Sequence, residues 1–587
     1  MSQPRTSESR SAPRDTWESF IASRFDVGGG DGGIGTLSSR LSDLDLELEL
    51  FQEQIVVAKR RRNSVTPCCR LPPELLAIVF SALQAVWQPA RLSESNGAGS
   101  RNYGHGWMTV THVCHSWRKA GLSARELWTH IDCVNLPTSF TATMLSRSRT
   151  MPLSLTLEGS GLSPEVLSNW LYAPVLRRTR ELSITDMSIS EFGACIRHLN
   201  SPMPELEELT LALPITVRLS ADLDAHLTGA SYPCLQRLTV RGLALNWSWP
   251  MFSSNLTHLE LLAHTREMML SAISLEPQLL PVISNMSRLQ SLHLIDVLPE
   301  PAPIAQYELP RSLHHLLSAS TNSSLATGHV PLLERSRCAT YFVQVGNEDQ
   351  SVLTPIIREM FRTWDSVNHP AMELALFNRH ISVFYAGIRP RSLWRVKIDV
   401  PIGFTSVAIP GTRYLHVAEP HRTPMGRGWK LSPYLHLIPM DALQVVSLAS
   451  TVATLNFPNP EAWIDAFAAA SNVRRLLVSY RRIVNLFLAL TTTTPNGDAH
   501  DDSRTEAEFA LFPRLETLVL HDGLATQKDD IALMDFLHVR ESKGAKMQEL
   551  MVEENLLSLT NIWDSAEEVT TVTYFKACST DDALGSA

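Results

Sequence analysis

Local enzyme signatures are what this chain most plainly lacks. None of G-x-S-x-G, H-E-x-x-H or G-x-x-x-x-G-K-[ST] occurs in its 587 residues, which removes the commonest motifs of α/β-hydrolases, zinc proteases and P-loop nucleotide binding. No apolar run approaches the ~20 residues that span a bilayer, and residues 1–20 hold no apolar core of a secretion signal. Excess positive charge is missing too: 51 Lys and Arg against 60 Asp and Glu leave a net charge of −9, which argues against a nucleic-acid-binding surface. Eight cysteines (68, 69, 114, 133, 195, 234, 338 and 578) include no C-x-x-C pair, so reduced, buried thiols are expected. Four Asn-x-Ser/Thr sequons, at Asn246, Asn255, Asn285 and Asn322, would matter only in the secretory pathway. These absences predict a soluble protein of the cytoplasm, the nucleus or both, with no membrane or nucleic-acid partner.

What is present is core. Hydrophobic residues make up 44% and charged residues 19%, the composition of a folded protein with room for several domains or one extended array. Residues 1–36, rich in Ser, Arg and Gly, read as a disordered tail. Over 37–62 apolar residues recur at Leu37, Leu41, Leu44, Leu48, Phe51, Ile55 and Ala58, a heptad seam. Leu44, Leu46, Leu48 and Leu50 also alternate as a strand would, yet Leu and Glu favour helix and no β-branched residue precedes Ile55. Acids early and Lys59-Arg-Arg-Arg62 late match the helix dipole. Packing against the segment that follows is favoured over dimerisation. The basic run reads as a solvated helix end, with nuclear import as the alternative.

Residues 63–135 carry the most specific pattern. Pro67-Cys-Cys-Arg-Leu-Pro-Pro-Glu-Leu-Leu-Ala-Ile-Val-Phe80 reads as an amphipathic helix, with prolines in its first turn and Glu74 at its positive end. After a polar insert, Gln88–Gly106, comes Val110-Thr-His-Val-Cys-His-Ser-Trp-Arg118. Val110, Val113, Cys114 and Trp117 there sit at i, i+3, i+4 and i+7, which predicts one helical face, and Arg125-Glu-Leu-Trp128 follows. The order Leu-Pro-Pro-Glu-Leu-Leu…Ile-Val-Phe, Val-Cys-x-x-Trp-Arg and Leu-Trp resembles the F-box, and more narrowly the F-box-like variety abundant in mushroom-forming fungi, whose first two helices are often split by an insert. The likeness covers about a ninth of the chain, and the insert here is longer than in compact F-boxes.

From about residue 140 to 561 a second pattern repeats: a Pro or Ser, then x-Leu-x-x-Leu-x-Leu. It starts at Pro204, Pro233, Ser254, Ser287, Ser471 and Pro513, with weaker copies from Leu393, Leu443 and Met547 and a degenerate one around Leu182. The last Leu-x-Leu predicts a short strand with both side chains inward, and the residues between copies a helix or loop. Glu191–Leu199 and Asp530–Val539 fit such helices. These copies resemble the leucine-rich repeats found behind F-boxes. Their spacing is irregular: 299–430 and Thr491–Thr505 read as insertions, and 562–587 as a flexible tail.

Three tempting groupings weigh less. Gly28, Gly30 and Gly33 satisfy G-x-G-x-x-G, but polar residues precede them where a strand is needed. His112, Cys114 and His115 have no matching ligand pair elsewhere at metal-site spacing, and His314-His315 likewise. Asp498, His500, Asp501 and Asp502 read as a charged loop.

The resulting expectation is an α/β repeat protein: a small all-α F-box-like domain followed by an irregular leucine-rich-repeat solenoid. What the resemblance implies is a non-catalytic substrate receptor of a Skp–cullin–F-box ubiquitin ligase, needing no cofactor or metal. It would touch the Skp-type adaptor, and through it cullin, with Leu71, Pro72, Leu75, Leu76, Ile78, Val113, Cys114 and Trp117, while the repeats hold an unknown target protein. The alternative is a leucine-rich-repeat scaffold with no ubiquitin role.

Overall fold

A computed structural model describes residues 8–25, 34–91, 103–159, 164–217, 219, 221–263, 279–297, 308–320, 323–335, 340–345, 349–362, 371–377, 380–384, 412–417, 430–494, 508–521, 523–559 and 561–577. The chain divides into two compact units, residues 1–130 with 135–151, and residues 131–134 with 152–587.

The first unit is mainly helical: α1 (Glu8–Phe25), α2 (Ile34–Ser64), α3 (Pro73–Val86), α4 (His115–Ser123) and α5 (Thr141–Ser148), with a two-residue hairpin pair β1 (Ala90–Arg91) and β2 (Tyr103–Gly104). Helix α1 lies inside the segment expected to be a disordered tail. An aromatic cluster accounts for it: Trp17 and Phe20 sit with their ring centroids 5.9 and 6.1 Å from Phe51 of α2. The heptad helix α2 thus finds α1 as a partner and meets the Pro67–Arg70 turn. Of its two heptad rows, Leu44 and Phe51 are half-buried, while Leu41, Leu48 and Ile55 stay exposed.

Among the described residues the second unit is built on a mostly parallel sheet of 17 strands, β3 to β19. These are β3 (His130–Asp132), β4 (Leu153–Glu158), β5 (Thr179–Thr185), β6 (Glu208–Val217), β7 (Arg237–Leu243), β8 (His258–Leu262) and β9 (Ser291–Ile295). They continue with β10 (His315–Ser320), β11 (Thr340–Val345), β12 (Glu373–Phe377), β13 (His380–Phe384) and β14 (Thr412–Val417). The last are β15 (Val445–Leu448), β16 (Arg475–Ser479), β17 (Thr517–His521), β18 (Glu549–Glu553) and β19 (Thr571–Phe575). From β4 to β11 each strand pairs in parallel with the next in sequence. The order then breaks: β11 pairs with β14, antiparallel β13 joins β14 to β12, and β12 pairs in parallel with β15. Sequential parallel pairing resumes through β19.

Each of the six clear copies ends on a strand of this sheet, and its three aliphatics are buried. Leu206, Leu209 and Leu211 are 0% exposed, and the equivalent triplets beginning at Leu235, Leu256, Leu289, Val473 and Leu515 are no more than 3% exposed. The Pro or Ser ahead of each triplet lies in a turn closed by the amide of the first aliphatic, as in Leu206 N–H to Met203 O at 3.3 Å and Leu235 N–H to Tyr232 O at 3.3 Å. Such a turn sets the register that sends both Leu side chains of Leu-x-Leu into the core.

Between strands run α6 (Pro164–Trp170), α7 (Ala173–Leu176), α8 (Ile189–His198), α9 (Ala221–Thr228), α10 (Leu279–Ser284), α11 (His329–Arg335) and α12 (Gln350–Arg362). Further on come α13 (Ser450–Asn456), α14 (Pro460–Phe467), α15 (Val484–Thr491), α16 (Gln527–Ser542) and α17 (Trp563–Val569). Helices α8 and α16 occupy the two segments predicted from their patterning. Both open on reciprocal caps, Ser188 with Glu191 and Thr526 with Asp529, which satisfy amides otherwise left without partners.

Two expectations are corrected here. The stretch 299–430, read as insertions, carries β10 to β14, because Thr340-Tyr-Phe-Val-Gln-Val345 and His380-Ile-Ser-Val-Phe384 are strand sequences built from β-branched and aromatic residues rather than leucine. Residues 562–587, read as a flexible tail, include α17 and β19, anchored by Trp563 and Phe575 at 4% and 3% exposure. The copy from Leu393 and the glycines Gly28, Gly30 and Gly33 lie outside the described residues, as do Asp498, His500, Asp501 and Asp502.

Candidate docking surface

Helix α3 is the unusual element of the first unit. Pro73 occupies its first position, where a missing N–H costs nothing, and Glu74 sits at its positive end. One face fills the core: Leu76 and Phe80 are 0% exposed, and Gln84 donates to the Leu127 carbonyl at 3.1 Å. The opposite face should then be polar. It is apolar instead. Leu75 (47% exposed), Val79 (42%) and Val86 (81%) line it, flanked by Ile78 (65%) and by Leu71 (38%) just ahead of the helix.

The surroundings hold that face in place. Trp128 is fully buried, donates from Nε1 to the Gly121 carbonyl at 2.8 Å, packs 5.0 Å from the Trp107 ring and carries the Arg147 guanidinium 4.2 Å above it. Gly106 has φ +52°, and a Cβ there would lie 2.5 Å from the Gln88 carbonyl carbon. Only glycine fits, and through it the chain returns from the polar insert to let the Trp107 amide bond Trp87 O at 2.8 Å. The ends of the insert thus pair as β1 and β2; residues 92–102 lie outside the described residues.

The predicted single face through Val110 and Trp117 is corrected. Gly106–His112 is a 3-10 segment, and Cys114 is extended (φ −159°) as the N-cap of α4. Its thiol accepts from the Trp117 amide at 3.4 Å, doing what Ser or Asn does at other N-caps. The break sends Val110 into the core at 4% exposure and leaves Val113 outside at 55%. Trp117 is half-buried, 5.4 Å from the Phe80 ring, with Nε1 donating to Cys68 O at 3.1 Å. It therefore staples the Pro67–Arg70 turn to the helix pair.

Of the eight residues singled out from sequence, Leu71, Pro72, Leu75, Ile78 and Val113 are exposed, and Cys114 and Trp117 half-buried. Leu76 is a correction: at 0% exposure it belongs to the core and cannot meet a partner. Val79 and Val86 are exposed and were not among the eight. Their signal is the spacing 75, 79, 82, 86, an apolar row of Leu, Val, Ala and Val on the face away from Phe80.

A second surface lies on the outward face of the sheet. One register row runs Thr210, Thr239, Glu260, His293, Leu317 and Phe342, all half-buried, and continues on the seventh strand to Tyr414, which is buried at 6% exposure. Arg237 pairs with Glu208 at 2.6 Å and Arg241 with Glu260 at 2.7 Å, so the charges on this face largely compensate one another. Near its middle, Phe342 stacks on Tyr414 at 4.4 Å and His380 on His416 at 4.2 Å. Burial holds His258, His293 and His315 below the usual histidine range, helped by Arg237 for His258 and by neighbouring histidines for the other two. Among the described residues no three His, Cys, Asp or Glu side chains are placed to hold a metal ion, and no helix is long and apolar enough to cross a membrane. No protein-family model matches the chain, and no curated protein matches it.

Proposed function

We propose that this chain is the substrate-recognition subunit of a Skp–cullin–F-box type ubiquitin ligase. In this reading the first unit is an F-box-like domain that docks on the Skp-type adaptor, and the second is an irregular leucine-rich-repeat solenoid that binds the target. The observation that carries it is the second apolar face of α3. A helix whose core side is already filled by Leu76 and Phe80 gains nothing in the free protein from Leu75, Ile78, Val79 and Val86; a partner that covers them does. The outward sheet face over β6 to β9, half-buried and with its charges paired, suits a protein partner better than nucleic acid. Nothing in this role requires catalysis by the chain itself: holding a target near the ubiquitin-charged enzyme raises effective concentration. The test is capture of purified adaptor by the full chain and by an Ile78→Asp variant. Capture lost in the folded variant supports the role; a wild-type chain that fails to bind any Skp-type adaptor leaves the scaffold reading in its place.

A further inference from the structure

Cys69 lies in the Pro67–Arg70 turn and Cys114 caps α4, 45 residues apart in sequence, yet their sulfurs are 3.6 Å from one another. The contact is a thiol–thiol hydrogen bond, one sulfur donating to the other. Both residues are partly exposed, so solutes reach them. Other described thiols differ: Cys133 and Cys195 are 0% exposed, and Cys68 and Cys234 are exposed. We infer that Cys69 and Cys114 form a peroxide-sensitive dithiol that closes to a disulfide and opens again with a thiol reductant.

The roles of the two sulfurs follow from their settings. Desolvation, together with hydrogen bonds to Cys114 and Cys68, pushes the Cys69 thiol up to about 11, so it carries its proton at neutral pH. Cys114 meets the Trp117 amide at the first turn of α4, so charge that builds on its sulfur during attack faces a donor. Cys114 attacks hydrogen peroxide: an S–O bond forms, the O–O bond breaks, and a sulfenic acid and water result. Cys69 then attacks that sulfur, its proton leaving with the hydroxyl as a second water. In total two thiols and one peroxide give one disulfide and two waters, with the two electrons passing from sulfur to oxygen. The bond would fasten the turn that Trp117 already holds through Cys68. This inference does not rest on adaptor docking.

The experiment uses the full chain, treated with hydrogen peroxide and mapped without reduction. The expected result is an intact mass lower by about 2 Da, from loss of two hydrogens, and a tryptic link between the 63–70 peptide, which holds Cys68 and Cys69, and the 102–118 peptide, which holds Cys114. Dithiothreitol should reverse both. Cys69→Ser and Cys114→Ser should each abolish the link, the latter keeping an N-cap acceptor and hence the fold, whereas Cys68→Ser should retain it. A link that persists in Cys69→Ser, or Cys114 taken to sulfinic acid with no link, overturns the proposal.

Discussion

Replacing Ile78 by Asp separates docking from folding. Ile78 is 65% exposed on α3, whereas Leu76, two residues earlier, is 0% exposed. Fully burying an isoleucine side chain is worth about 1.5–3 kcal/mol, and about two thirds of that surface is still open for a partner. Truncation to Ala should therefore weaken adaptor binding by about 1–2 kcal/mol, roughly 5- to 30-fold. Asp adds the cost of a carboxylate stripped of water without a partner, several kcal/mol more, so its dissociation constant should rise by over about 1000-fold. Stability should barely move, within about 1 kcal/mol for a surface helix position. Leu76→Ala reverses the pattern. It empties core volume beside Phe80 and should cost about 2–5 kcal/mol of stability, with adaptor binding falling only as the folded fraction falls. Calorimetric titration with purified adaptor and thermal melts of the same samples give both quantities. A folded Ile78→Asp chain that binds adaptor like wild type would refute the assignment of this face.

Other outcomes concern the chain alone. His329 is fully buried between the hydroxyls of Ser318 and Ser320, at 2.7 and 3.1 Å, and burial holds it down to about 3. The unfolded chain takes up this proton below about pH 6.5 and the folded chain does not. Stability is thus whole above that pH and is lost on acidification towards 3, by about 2 kcal/mol from pH 7 to 5; His329→Asn should flatten that part of a melt-against-pH curve. Arg540 is 0% exposed, lies 4.4 Å over the Phe509 ring and donates to the carbonyls of Leu490, Leu511 and Phe512 at 3.4, 3.0 and 3.0 Å. Arg540→Ala takes the donor from the Leu490 and Leu511 carbonyls, while Phe512 O keeps the Leu515 N–H at 3.1 Å, and should cost about 3–5 kcal/mol in denaturant unfolding; an unchanged midpoint would remove its role as a cross-link. Trp117→Phe keeps the ring against Phe80 but drops the bond to Cys68, so a loss near 1 kcal/mol is expected in the same assay.

How much of this was legible depends on which residues carry the pattern. Where all three repeat positions are aliphatic, as at Leu235, Leu238 and Val240, the spacing alone located the strand and its inward face. At Pro310-Arg-Ser-Leu313-His-His-Leu316-Leu-Ser318 the same turn forms, with Leu313 N–H on Pro310 O at 3.1 Å, and the same strand follows. The third aliphatic is Ser318, buried at 1% because His329 on the next helix takes its hydroxyl. A polar residue at an inward position is tolerated only when a distant residue satisfies it, and no local window contains both. The strands β11 to β14 escaped for a related reason: their partners are out of chain order, so β-propensity was visible but the sheet was not. The docking face shows the opposite limit. Leu75, Leu76, Ile78, Val79 and Phe80 are all apolar, and periodicity cannot say which side of such a helix meets the core. The chain beyond the insert decides it: Trp117 packs on Phe80, and the short turns that carry Trp107 and Trp128 lie against α3. The rest of the stripe is then surplus to folding, and that surplus, rather than the motif, is the physical ground for expecting a partner.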